Sequence, residues 1–175
     1  LCRTFNLDEY IGLSPEDPNS YRHYMNHHLF SRINIDPRNT FLPDGMATDL
    51  KASCRRYEER IAECGGIDLQ LLGIGADGHI GFNEPLSALR SRTRDKALTP
   101  STIAVNSTLF KNPKDMPTRA ITMGVGTILE ARTAIMLGVF LLVSSGSALA
   151  IGRLYRRQRD AAARALESKA HLETT

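Results

Sequence analysis

The sequence predicts an α/β fold built on a parallel sheet, and three observations carry that prediction. Short apolar runs alternate along the 175 residues with longer amphipathic stretches, the order that strand–helix–strand units produce. One run, Ile67–Ile74, ends in glycines and opens into a loop dense in ionisable groups, Gly75-Ala76-Asp77-Gly78-His79-Ile80-Gly81-Phe82-Asn83-Glu84-Pro85. A strand that ends in such a loop is where open α/β sheets bind ligands. The composition, 42% hydrophobic and 23% charged, is that of an ordinary globular chain long enough for a sizeable core.

Several function classes are disfavoured by composition. A net charge of +3 is modest, and the few aromatic residues do not interleave with basic ones, so nucleic acid is not an expected partner. Cys2, Cys54 and Cys64 are odd in number and lack CxxC spacing, which argues against a disulfide framework or a zinc ribbon and fits a reducing, cytoplasmic setting. His23 and His27 have the i,i+4 spacing of a zinc pair but no third ligand, so no metal is expected. No secretory signal opens the sequence, which starts at Leu1 in what reads as the middle of a strand; an N-terminal truncation is expected.

The elements follow in order. Cys2–Leu7 reads as a strand, Ser14–Asn19 as a proline-bearing loop, and 20–33 as a helix capped by Ser20. After the break at Asp36–Asn39 and the apolar Phe41-Leu42, a second helix spans 48–64 and stops at Gly65-Gly66. The buried strand Ile67–Ile74 and its loop come next. Arg90, Arg92, Arg94 and Lys96 alternate on one side of an extended segment, as a solvated basic face would. A helix is expected over 101–110, a strand over 120–123, and a short helix after Gly124-Val125-Gly126 that ends near Ala131. Thr133–Gly152 carries no charge and is followed by Arg153, Arg156 and Arg157; it reads either as a buried strand, 134–143, with a Ser/Gly turn, or as a membrane span, with the span disfavoured. An alanine-rich charged helix closes the sequence over 153–172.

The chemistry concentrates in the loop. An imidazole flanked by carboxylates can be oriented, fixed in one tautomer and raised in pKa, which suits His79 between Asp77 and Glu84 to general acid–base work. The glycines allow a ligand to approach the backbone closely. The bland alternative is a glycine-rich turn whose polar residues face water, and for Asp8 a strand-end carboxylate that caps the next turn.

Four blocks, in order, resemble the glucosamine-6-phosphate deaminase (isomerase) family: Phe5-Asn6-Leu7-Asp8-Glu9-Tyr10-Ile11-Gly12-Leu13, the Asp77-Gly78-His79 … Phe82-Asn83-Glu84-Pro85 loop, Ser91-Arg92-Thr93-Arg94, and Thr122-Met123-Gly124-Val125-Gly126-Thr127-Ile128-Leu129. The 6-phosphogluconolactonases share the GxGxDGH core but not the FNEP block. The resemblance implies a three-layer, modified Rossmann-like parallel sheet with helices on both faces, with a catalytic domain over 1–138 and a divergent segment over 139–175. It implies conversion of glucosamine 6-phosphate and water to fructose 6-phosphate and ammonia, without a cofactor. Asp8 would abstract the C2 proton, and His79, set by Asp77 and Glu84, would serve ring opening. Ser87, Arg94 and Lys96 match positions that bind the effector N-acetylglucosamine 6-phosphate between subunits in many bacterial members, which would place the chain in a homo-oligomer.

The sequence also departs from the family. The family's phosphate loop lies upstream of the FNxDEY block, Thr108 stands where the family has Arg, and a later phosphate-binding Lys has no match. Poor binding of substrate is therefore expected. The rival readings are a degenerate, non-catalytic sugar-phosphate binding fragment, a 6-phosphogluconolactonase-like enzyme, and a membrane-tethered fragment.

Overall fold

In a computed structural model of the chain, residues 2–75 and 78–137 are described. They lie in the first of the two units into which the chain divides, Leu1–Gly138 and Val139–Thr175. Asp77, most of the uncharged stretch Thr133–Gly152 and the 153–172 helix fall outside the described residues. Among the described residues no helix is long and apolar enough to cross a membrane.

Seven strands and four helices are described, linked in places by 3-10 turns. They are β1 (Thr4–Phe5), β2 (Asp8–Tyr10), α1 (Tyr21–His28), β3 (Thr40–Phe41), α2 (Leu50–Glu63), β4 (Leu69–Gly73), β5 (Arg94–Ala97), α3 (Pro100–Asn106), β6 (Arg119–Thr122), α4 (Val125–Leu129) and β7 (Thr133–Leu137). The α/β class holds. Parallel pairing joins β1 to β3 and β4 to β7, but β2, β6 and β5 form an antiparallel sheet in that order. The expected single strand 2–7 is split: the backbone leaves β1 at Asn6 and re-enters a different sheet at Asp8, and the buried Tyr57 hydroxyl donates to the Asn6 carbonyl at 2.7 Å where it does so.

Other boundaries shift for local reasons. α1 stops at His28 because Leu29 adopts φ −129°, and a 3-10 turn, Phe30–Arg32, completes the expected 20–33 helix. Ser20 caps α1 as predicted, accepting from the His23 N–H, whereas α2 is capped by Asp49, which accepts from the Ala52 N–H. The buried strand that the sequence predicts is buried on one face alone among the described residues: Gln70 and Leu72 of β4 are buried, while Leu69 and Leu71 are exposed, in strand alternation.

Two apolar clusters flank the antiparallel sheet. Tyr57 and Ile61, one turn apart on α2, pack with Leu72, Met123 and Ile128, with Phe5 and Phe41 stacked beside them. Tyr10, Phe82, Leu98, Phe110, Met116 and Ala120 make the other cluster. A polar hub joins α2 to two of the sequence blocks. One Glu58 oxygen accepts from the Thr93 N–H, the Thr93 hydroxyl and the Thr127 hydroxyl, and the other from Arg92. Burial alone pushes this carboxyl up, but the hydrogen bonds from Thr93 and Thr127 outweigh it and hold its pKa below the ordinary value. The SRTR and TxGxGTxL blocks are thus a joint in the scaffold. Glu58→Ala strands three donors and a guanidinium, and a loss of about 3 kcal/mol in urea unfolding is expected.

Candidate active site

Strand alternation divides the work of Asp8-Glu9-Tyr10. Glu9 turns to one face and accepts from the Tyr21 and Arg22 N–H groups, closing the N-terminus of α1 at 3.0 and 2.9 Å. Tyr10, on the other face, stacks on Tyr21 with ring centroids 5.4 Å apart and accepts a hydrogen bond from Asn106. Asp8 shares Tyr10's face and sits opposite Thr122 of β6, which in turn is opposite Arg94 of β5. The Asp8 carboxyl is half-buried, yet crowded enough that desolvation, reinforced by the charge of Glu9, raises its pKa from 3.8 to about 7. A carboxylate at that value can both take and return a proton near neutrality.

The glycine-rich loop lies against Asp8. Gly81 has φ +58°, and a Cβ built on it would stand 3.1 Å from Asp8 Oδ2 and 3.0 Å from Thr122 Oγ1, so glycine here satisfies both the backbone angle and the close approach. The His79 imidazole covers Gly75, where any Cβ would collide with the ring, and the Gly75 N–H donates to the His79 carbonyl at 2.9 Å. Phe82 is buried in the Tyr10 cluster, and its N–H donates to the Thr122 hydroxyl. Asn83 spans two carbonyls, donating to Ile80 at 3.0 Å and to Met123 at 2.8 Å. Its block is a clamp that fastens the loop to the end of β6.

Glu84 is held from α3. Its Oε1 accepts from the Thr99 hydroxyl at 3.0 Å and the Thr102 hydroxyl at 2.5 Å, while Oε2 is buried without a donor among the described residues. Sequence reading missed Thr99, Thr102 and Thr122 as partners of this region. Thr99-Pro100 is legible as a helix start, but nothing local reports that its hydroxyl reaches back fifteen residues.

Of the expected site residues, Asp8 and the His79–Glu84 loop come together through Gly81, Phe82 and Thr122, and Asp77 lies outside the described residues. Asp8 reaches that place at the start of an antiparallel strand, although the sequence suggested the end of a parallel one. Among the described residues no hydrogen bond or ion pair joins Ser87, Arg94 and Lys96: the Ser87 hydroxyl donates to the Glu84 carbonyl at 2.8 Å, and Arg94 donates weakly to the Arg92 carbonyl. Thr108 turns its hydroxyl back to the Val105 carbonyl at 2.7 Å and brings no cation. No group of three or more metal-ligating side chains is found among the described residues.

On this mixed α/β scaffold a half-buried carboxyl of raised pKa stands beside a glycine-rich loop that carries an imidazole. The family described as glucosamine-6-phosphate isomerases/6-phosphogluconolactonase matches residues 3–139, and the chain belongs to it. The glucosamine-6-phosphate deaminase of Geobacillus sp. (strain WCH70) is 53% identical over 148 residues, 85% of this chain and 57% of that protein. The deaminase of Hahella chejuensis (strain KCTC 2396) is 55% identical over 77% of this chain and 51% of its own length. A solved structure of a monomeric glucosamine-6-phosphate deaminase superposes with a TM-score of 0.75 at 47% identity, covering 77% of this chain and 56% of that one. A 6-phosphogluconolactonase from Thermotoga maritima shares the fold at a TM-score of 0.56 and 19% identity. The chain thus spans little more than half the length of these relatives.

Proposed function

We propose that this chain carries the acid–base portion of a glucosamine-6-phosphate deaminase. The observation that carries the reading is the Asp8 carboxyl, raised to about 7 and packed against Gly81 of the loop that bears His79 and Glu84. His79 moves a proton between the ring oxygen and the anomeric hydroxyl as the pyranose opens. Asp8 takes the C2 proton and delivers it to C1, and water replaces the amine at C2, which leaves as ammonia. The buried Glu84 Oε2, which no described residue satisfies, supplies an acceptor for a substrate hydroxyl or for the imidazolium; Asp77 contributes to the same task by the family pattern.

The degenerate reading draws on Thr108. A threonine whose hydroxyl is committed to its own turn cannot grip phosphate as a guanidinium does. Ammonia release from glucosamine 6-phosphate separates the two readings. Weak turnover that vanishes in Asp8→Asn is expected, with a Michaelis constant about tenfold lower in Thr108→Arg. Turnover indifferent to Asp8→Asn, or none in either chain at saturating substrate, would overturn the deaminase reading.

A further inference from the structure

α1 carries three of the chain's five histidines, His23, His27 and His28. His23 and His27 stand one turn apart, so their side chains share a face of the helix. The two rings lie nearly parallel, with an interplanar angle of 11° and centroids 6.3 Å apart. His23 is half-buried and His27 exposed. His28 leaves the helix in a different direction and rests against the Tyr24 ring, with centroids 4.4 Å apart.

The hydrogen bonds of the pair run through its backbone. The His23 N–H donates to the Ser20 hydroxyl, and the His27 carbonyl accepts from the Ser31 hydroxyl and from Arg32. Among the described residues no hydrogen bond or ion pair engages the ring nitrogens of either histidine. A neutral imidazole is a good donor to divalent transition-metal ions. An ion about 2.0–2.1 Å from one nitrogen of each ring draws the centroids to about 4.5–5 Å, a closure that rotation of the exposed His27 side chain provides.

We infer that His23 and His27 form a two-imidazole chelate on α1 for a divalent transition-metal ion, with water completing the coordination shell. No third side-chain donor joins them among the described residues, so the site is an open one that takes up and releases its ion, not a closed structural centre. The donor set fixes the preference, because imidazole suits nickel, zinc and copper whereas magnesium takes oxygen ligands. A bound ion ties the end of α1, which breaks at Leu29, to the turn capped by Ser20. Asp8, His79 and Glu84 are not ligands, and the site does not depend on the deaminase reading.

The test is isothermal titration of the whole chain with nickel, zinc and magnesium chlorides, in a Cys2→Ser background that removes the exposed thiol. One-to-one uptake of nickel and zinc is expected, with no uptake of magnesium at the same concentrations. His27→Ala keeps the fold, since the side chain is exposed, and should weaken nickel binding at least tenfold, because the second bond of a chelate is intramolecular. His23→Gln should do the same, and His28→Ala should change it less than twofold. Zinc should slow exchange of the Leu29 amide, which donates to the Met25 carbonyl, several-fold in the parent and not in His27→Ala. Nickel binding as tight in His27→Ala as in the parent, magnesium matching nickel, or nickel broadening of NMR signals centred on His79 would overturn the proposal.

Discussion

Asp8→Asn is expected to raise the free energy of unfolding at pH 8 by up to about 4 kcal/mol while abolishing ammonia release. The stabilisation follows from burial. Asp8 has a pKa of about 7 in the folded chain and about 3.8 when exposed, so between those values the folded state holds a proton that the unfolded state has lost. Stability therefore falls as pH rises from about 4 to about 7, and the full penalty of the buried charge is present above that window. Below pH 4 the carboxyl is protonated in both states, and the variant and parent should unfold alike. The same ionisation gates the chemistry, because only the carboxylate can take the C2 proton. Turnover should climb between pH 6 and 8 as Asp8 ionises. Urea unfolding at pH 3.5 and pH 8, beside rates of ammonia release, reads both effects; a variant less stable than its parent at pH 8 would show that the Asp8 charge is compensated.

Gly124→Ala should cost about 3 kcal/mol or more, and its effect should be seen well beyond the substituted turn. Gly124 has an ordinary φ of −72°, so conformational freedom is not the reason. A Cβ there would collide with the backbone of Ser91 and Arg92, which cannot rotate away as a side-chain tip can. The same approach lets the Val125 and Gly126 N–H groups donate to the Ser91 hydroxyl and carbonyl at 3.0 and 2.9 Å. Forcing the two turns apart strains those bonds and loosens Met123, whose carbonyl anchors Asn83 in the loop beside Asp8. Gly73→Ala is the control, since a Cβ at Gly73 meets nothing within 4 Å, and its effect should stay within about 0.5 kcal/mol. Equal midpoints for the two variants in urea would contradict the packing account.

The contrast between these glycines shows what the sequence could and could not disclose. The alternation of elements, the Ser20 cap and the stop of α2 at Gly65-Gly66 were legible because each is written in adjacent residues. The antiparallel β2–β6–β5 sheet was not, since Asp8–Tyr10 and Arg94–Ala97 are three and four residues long and carry no run of apolar alternation, and β2 finds its partner β6 over a hundred positions further along the sequence. The motif residues were visible, but their division of labour was not. Glu9, one position from the candidate base, closes a helix, while Ser91 and the glycines of residues 124–126 hold two turns together. Glu58 has no motif to mark it, because its three hydroxyl and amide donors come from residues 35 and 69 positions away.

The account rests on a carboxyl kept near neutrality by burial at the start of β2. Titration of the Asp8 side-chain carbon by ¹³C NMR in the whole chain tests this directly. A midpoint near 7 is predicted, with the neighbouring Gly81 amide reporting the same transition. A midpoint near 4, the value of an exposed aspartate, would contradict it and leave the loop without its base.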